Sequence, residues 1–444
     1  MTPLQTLPHK GVGGAPVAEA IGPVLVACPD ARPPAYQAAV GLARFGTLGA
    51  FLTGFYHQGD GPLLKLARRI APGPSNRLER TLKKRQDPEI PSDRVRSTLG
   101  FDLALAVERR LPSRRAAWRR RLGRWRTEHF DRLVARELER TRPASALIFS
   151  DVGSEFALPN CKRLGIASVL SMVHGDVREE RRLLKQEAER SPKVFRLYLG
   201  DASLDRQELN WLHERRLRDI ELADLILVPS EHIGRELMRN GTPRSRIRVI
   251  PYAADTRRFQ PKPDKRHDES CTFLFAGGIS QRKGISYLLR AWQQIRRPGW
   301  RLQLLGAPPR DLAPLAGWLE GVELLGRVPH AEVPVRMAEA DVFAFPSLFE
   351  GSAVVTYEAL ACGLPSVVTP SAGSVVRDGM DGFLVPPADV EALALSMERL
   401  GVDPDLRAEF SASARYRAEM FDWPRYHEAL AEAIGSPQRP WAEG

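Results

Sequence analysis

The stretch Ala340-Asp341-Val342-Phe343-Ala344-Phe345-Pro346-Ser347-Leu348-Phe349-Glu350-Gly351-Ser352-Ala353-Val354-Val355-Thr356-Tyr357-Glu358-Ala359-Leu360-Ala361-Cys362-Gly363-Leu364-Pro365 carries the most information in the chain. Its apolar run ending at Phe345 reads as a buried strand, and Glu350 and Gly351 sit in a turn. A helix is expected from about Ser352 to Cys362, stopped by Gly363 and Pro365. Strand, loop and helix in this order form the unit of a doubly wound parallel sheet. Small residues at Gly351, Ser352 and Ala353 leave helix-start amides open, and the helix dipole favours an anion there. Glu350 and Glu358 bracket that helix start, roughly 12 Å apart if the intervening residues are helical. That span suits a nucleotide-sugar: diphosphate at the helix start, Glu358 near ribose hydroxyls and Glu350 on the sugar. Alone, the pair is equally a surface glutamate and a helix-facing one, so its neighbours decide.

Upstream, Thr272 to Ala276 reads as a strand, followed by Gly277 and Gly278, the cations Arg282 and Lys283, Gly284, and a helix through Trp292. Glycines permit close backbone approach, and the cations suit a leaving diphosphate. No P-loop is formed, because that motif needs Gly-Lys followed by Ser or Thr whereas here Lys283 precedes Gly284, and GxGxxG is absent.

The alternation extends in both directions. Further strands are expected at Pro23 to Ala27, Leu48 to Thr53, Ala146 to Phe149, Ser168 to Val173, Leu225 to Val228, Leu302 to Leu305, Val322 to Leu325, Ser366 to Thr369 and Phe383 to Val385, separated mostly by helical stretches. This pattern predicts an α/β protein of two Rossmann-like doubly wound parallel-sheet domains facing across a cleft. Pro251, Pro261 and Pro263 mark the boundary region. The expected organisation is a loose tail over 1–20, a first domain over 21–245 with a basic helical insertion at about 60–142, a second domain over 246–418, and a closing helix over 419–444.

The 444 residues suffice for two cores, with 43% hydrophobic and 27% charged residues, which excludes wholesale disorder. No apolar run is long enough to span a bilayer. Cys28, Cys161, Cys271 and Cys362 are far apart, so buried free thiols in a reducing compartment are expected, with no metal site and no disulfide frame. The net charge of +11 is lopsided: residues 1–250 hold 44 Lys+Arg against 29 Asp+Glu, leaving the remainder at −4. In the insertion, Arg109, Arg110, Arg114, Arg115, Arg119, Arg120, Arg121, Arg124 and Arg126 surround an apolar stripe of Leu111, Trp118, Leu122 and Trp125. The segment 109–126 therefore reads either as a surface for anionic lipid or as a helix packed on its domain with solvated arginines. Nothing resembles a nucleic-acid module.

Together these elements resemble the donor half of GT-B fold retaining glycosyltransferases, specifically glycosyltransferase family 4 (glycosyl transferases group 1). Glu350 and Glu358 match its Glu-x7-Glu signature, and Lys283-Gly284 its phosphate-binding turn. Val249 to Tyr252 with Asp255 and Phe259 look like the strand and loop preceding the donor domain. Asp378-Gly379, Gly382, Pro386 and Asp389 through Leu393 look like a further family stretch, and Phe421, Trp423 and Tyr426 its last helix. The match is close over about 225–430 and holds only in outline over 23–224, where Ser168 to Gly175 resembles a strand ending in His-Gly. Departures are Gly277-Gly278 in place of Gly-Arg, Gly351-Ser352-Ala353 in place of Gly-x-Gly, and Ser374 in place of a glutamate.

The resemblance implies sugar transfer from a nucleotide-sugar to an acceptor hydroxyl with retention, in cell-surface polysaccharide or glycolipid synthesis. It implies catalytic roles for Glu350, Lys283 and His174, and donor binding by Gly278, Arg282, Lys283, Glu350, Gly351, Ser352, Ala353 and Glu358. No metal and no cofactor beyond the donor substrate are expected. The location implied is cytoplasmic, with peripheral attachment to the membrane's inner face. Alternatives are another GT-B-like enzyme, an epimerase or phosphorylase, and a silent membrane-associated subunit.

Overall fold

A computed structural model of the chain describes residues 21–30, 33–57, 85–111, 115–201, 205–263 and 270–435. The expected tail over 1–20, most of the first half of the basic insertion, and Arg114 lie outside the described residues.

Thirteen described strands form two sheets. The first contains β1 (Val24–Cys28), β2 (Leu48–Thr53), β3 (Val95–Ser97), β4 (Ser145–Phe149), β5 (Ala167–Ser171), β6 (Leu225–Val228) and β7 (Ile247–Val249), in the order β3-β2-β1-β4-β5-β6-β7. The second contains β8 (Cys271–Ala276), β9 (Trp300–Leu305), β10 (Val322–Gly326), β11 (Val342–Phe345), β12 (Ser366–Val368) and β13 (Gly382–Leu384), in the order β10-β9-β8-β11-β12-β13. Pairing is parallel at β1–β2, β1–β4 and β4–β5 in the first sheet, and throughout the second. Central strands such as β1, β4 and β11 are buried along their whole length, because helices cover both faces of such a sheet. Their sequences are accordingly apolar apart from Ser145 at the start of β4. These are the two Rossmann-like parallel-sheet α/β domains expected. β3 and β7 have three residues each, too few to display a period.

The chain parts into two compact units that interleave along the sequence. Met172–Leu209 groups with Val228–Tyr426, while Asn210–Leu227 and the described residues from His427 group with the described residues before Met172. The helix Trp423–Gly435 thus divides between Tyr426 and His427.

The described part of the expected basic insertion is not wholly helical: it contains the sheet strand β3 and then a helix pair, Leu99–Arg110 and Ala116–Thr141. Phe101 packs edge-on against Phe130, with centroids 5.7 Å apart, and the Arg126 guanidinium lies 4.4 Å from the Phe101 centroid. The long helix is anchored by fully buried Asp131, which accepts from the amides of Glu155 (2.9 Å), Phe156 (3.3 Å) and Ala157 (2.8 Å) and pairs with buried Arg215 at 3.1 Å. A buried carboxylate is tolerated there because donors surround it and it meets the start of the helix Ala157–Leu164. The expected stripe splits: Leu111 and Leu122 are half-buried, while Trp118 and Trp125 are 65% and 48% exposed. All four cysteines are buried and none forms a disulfide.

Gly382 opens β13 at φ +155°, and a Cβ there would lie 1.9 Å from the Ser366 carbonyl oxygen on β12. Both the dihedral and the contact exclude a side chain. Gly382→Ala is expected to cost about 2 kcal/mol and lower the melting temperature by roughly 5 °C, measured by calorimetry.

Candidate donor site at the β8 and β11 turns

Strand order in the second sheet reverses between β8 and β11, which pair through Val342 with Phe273 and Phe343 with Leu274. The turns leaving their carboxyl ends therefore emerge side by side at a topological switch point, where open α/β sheets bind ligands. These are the two turns that carry the motifs.

The β8 turn is held by close backbone approaches. Gly277, at φ +145°, donates to the Leu305 carbonyl at 2.8 Å, and a Cβ on Gly306 would sit 1.9 Å from the Gly277 oxygen. A Cβ added to Gly278 would meet nothing within 4 Å, so that face of the turn is open. A single 3-10 turn, Gln281–Lys283, follows and ends at Gly284, φ +73°, whose Cβ position is 1.9 Å from the Pro346 carbonyl oxygen of the β11 turn. The Arg282 carbonyl accepts from the Leu348 amide (2.8 Å) and the Ser347 hydroxyl (3.2 Å). The two turns are thereby joined by their main chains.

Their side chains converge. Lys283 Nζ lies 2.7 Å from Glu350 Oε1, and an Arg282 terminal nitrogen lies 3.3 Å from Glu350 Oε2 while donating to the Phe349 carbonyl at 3.0 Å. Lys283 also sits 4.9 Å from the Phe345 ring centroid. Burial disfavours the Glu350 carboxylate, but Arg282 and Lys283 outweigh burial and hold its pKa below the ordinary glutamate range.

The helix after the β11 turn spans Val354–Ala361. Of the three small residues before it, Ala353 already donates its amide to the Ala372 carbonyl at 2.9 Å. Among the described residues, the amides of Gly351, Ser352, Val354 and Val355 meet no acceptor. The lack of a side chain at Gly351 serves a different contact from the one expected. A Cβ there would fall 2.3 Å from the Val173 oxygen and 2.9 Å from the His174 nitrogen, so the glycine admits another segment of main chain. The Gly351 carbonyl accepts from Ser230 Oγ at 3.2 Å. Ser352 Oγ is engaged internally, 2.7 Å from the Gly373 carbonyl and 3.0 Å from Tyr357 OH.

His174 is half-buried, with Nδ1 2.8 Å from the Gly175 carbonyl, and its main chain rests against Gly351, next to Glu350. Glu358 stands on the second turn of the helix. It keeps partial exposure and makes no ion pair among the described residues; burial pushes its carboxyl up to about 7, with Arg258 opposing. Arg258 is a neighbour that the sequence does not signal, since it is 100 positions away. The structure thus gathers Gly278, Arg282, Lys283, Glu350, Gly351 and the His174 main chain around the two turns, with Glu358 on the adjoining helix.

Residues 270–403 match the family model described as glycosyl transferases group 1. Over 237 residues the chain is 29% identical to a GDP-mannose-dependent alpha-(1-6)-phosphatidylinositol monomannoside mannosyltransferase of Mycolicibacterium smegmatis, a match covering 48% of this chain and 62% of that protein. It is 32% identical to a D-inositol 3-phosphate glycosyltransferase of Saccharomonospora viridis, over 47% of this chain and 55% of that one. The chain therefore spans less than two thirds of these relatives' length. Among solved structures, sucrose-phosphate synthase from Thermosynechococcus elongatus superposes with a TM-score of 0.61 at 18% identity, over 93% of this chain and 97% of that one. Anabaena HepE in complex with UDP-glucose does so with a TM-score of 0.58 at 16% identity, over 93% and 99%.

A glutamate whose folded pKa is raised binds more protons folded than unfolded, so stability falls as pH rises from the unfolded value through about 7. Glu358→Gln is expected to flatten the decline in melting temperature between pH 5 and 8; an unchanged slope would count against the buried carboxyl. Over residues 270–403 the chain is similar in sequence to glycosyl transferases group 1, and over nearly its whole length it shares the GT-B fold of the solved glycosyltransferase structures.

Proposed function

We propose that the chain is a retaining glycosyltransferase that moves a sugar from a nucleotide-sugar to an acceptor hydroxyl. The observation that carries this reading is the meeting of Arg282 and Lys283 with Glu350 at the switch point of the second sheet. Two cations there suit a diphosphate leaving group, and fixed positive charge lowers the barrier where negative charge develops. They do so without a metal ion, and no further cofactor takes part. Gly278 leaves room for phosphate, and the amides of Gly351 and Ser352, together with those of Val354 and Val355, add donors. Ala353 contributes shape only. Glu350 orients the sugar and offsets oxocarbenium charge, Glu358 accepts from ribose hydroxyls, and His174 lines the sugar end. Same-face attack, with the departing phosphate taking the acceptor proton, accounts for retention.

The similarity to a mannosyltransferase acting on a phosphatidylinositol mannoside supports an acceptor in glycolipid or polysaccharide synthesis. A peripheral, cytoplasmic position fits such an acceptor. Trp118, Arg121 and Trp125, spaced three and four apart on the helix Ala116–Thr141, all face solvent, with the Arg121 guanidinium 5.9 Å from the Trp118 ring centroid. Exposed tryptophans beside arginines suit an anionic headgroup layer.

Lys283→Ala is expected to reduce kcat about 100-fold with a nucleotide-sugar substrate, and Glu358→Ala to weaken nucleotide binding about 10-fold. Unchanged affinity and turnover in both would overturn the assignment, and an intact isomeric donor with no nucleoside diphosphate released would indicate an epimerase. Sedimentation with anionic liposomes is expected at low salt and to be lost at high salt or in the Trp118→Ser, Trp125→Ser double variant. Equal recovery with neutral liposomes would refute the surface.

A further inference from the structure

Glu187 lies on the helix Val177–Arg190, nearly a hundred positions before the cation turn, and is fully buried. Its two oxygens are engaged separately: Oε2 accepts from Gln281 Nε2 at 2.8 Å and Oε1 from Tyr287 OH at 2.7 Å. Gln281, also fully buried, is the first residue of the turn that carries Arg282 and Lys283, and its own Oε1 accepts from the Ser286 amide at 3.3 Å. The same segment holds the turn's main chain. The Gln281 amide donates to the Leu197 carbonyl (2.9 Å) and the Arg282 amide to the Tyr198 carbonyl (3.1 Å). All these residues belong to one compact unit.

We propose that Glu187 is a positioning residue for the diphosphate-binding cations, acting through Gln281 to fix the direction in which Arg282 and Lys283 leave the turn. The proposal rests on the donor-site reading above. The buried Glu187 carboxylate, which also pairs with Arg190 at 3.8 Å, costs desolvation, and what it supplies to Gln281 and Tyr287 is a pair of charge-assisted, directional bonds that leave Gln281 a single side-chain orientation. A glutamine at 187 can reproduce both bonds, accepting from Gln281 with its oxygen and donating to the Tyr287 oxygen with its nitrogen. An alanine reproduces neither.

The test is calorimetric titration of the full chain with UDP and GDP, and with UMP and GMP, alongside thermal melting. Glu187→Ala is expected to weaken binding of the preferred nucleoside diphosphate at least 10-fold while changing the monophosphate little, so that the advantage of the second phosphate collapses. Glu187→Gln is expected to stay within 3-fold of the native chain. Tyr287→Phe, which removes one hydroxyl and keeps the ring, is expected to lose 2- to 5-fold and serves if the alanine variant does not fold. Equal losses of mono- and diphosphate affinity would show a merely structural role and overturn the proposal, as would native diphosphate affinity in both Glu187→Ala and Tyr287→Phe. Lys283→Ala separates the two levels. If it weakens diphosphate binding while the Glu187 and Tyr287 variants do not, only the positioning role fails. If it binds natively, or if the native chain binds neither diphosphate, the donor-site reading fails with it.

Discussion

The contact on which the site depends is the ion cluster of Lys283, Arg282 and Glu350, with the cations on one turn and the carboxylate on the next. In isolation such pairs contribute little to stability at a surface. Here the carboxylate is mostly buried, and removing either cation would leave charge unmatched in a low dielectric. The cluster therefore fixes the relative placement of two turns that 67 residues of chain separate. Its surplus of one positive charge, next in the chain to the open amides of Gly351 and Ser352, is the physical basis of the donor-site proposal.

The backbone gives that cluster its geometry. Gly284 lets the first turn press on the Pro346 carbonyl, and Gly351 lets the second press on Val173 and His174. Each is a site where a Cβ would collide with main chain. Close main-chain contact lets short loops hold charged side chains in place. On the other side, the carbonyls of Leu197 and Tyr198 hold the cation turn from a segment that a linear division of the chain would assign elsewhere.

The first sheet is built by the same rules and bears a different charge. Its helix pair is rich in arginine, yet the interior of that half also contains ions, with Asp131 and Arg215 fully buried and paired. Asp131 joins the long helix to the start of Ala157–Leu164 by capping three amides. The exposed tryptophans lie on the opposite side of that helix from Phe130 and Asp131, which helix periodicity requires of residues 118 and 125 relative to 130 and 131.

Apolar runs long enough to show a period determined the two parallel sheets, and the strand–turn–helix units at β8 and β11 were legible with their charged residues, because burial on both faces leaves an unmistakable apolar signature. The burial of the four cysteines and the strand ends to within one or two residues followed similarly. Strand order was not legible: that β8 and β11 are neighbours depends on which chain segments pair across the sheet, and this alone brought Lys283 to Glu350. Nor could local pattern show that Gly351 makes room for main chain, that the Ala353 amide already has an acceptor, that Leu111 and Leu122 are half-buried while Trp118 and Trp125 are exposed, or that Glu187 grips Gln281. Each of these is a contact between residues distant in the chain, decided when the segments pack and not by the residues alongside them.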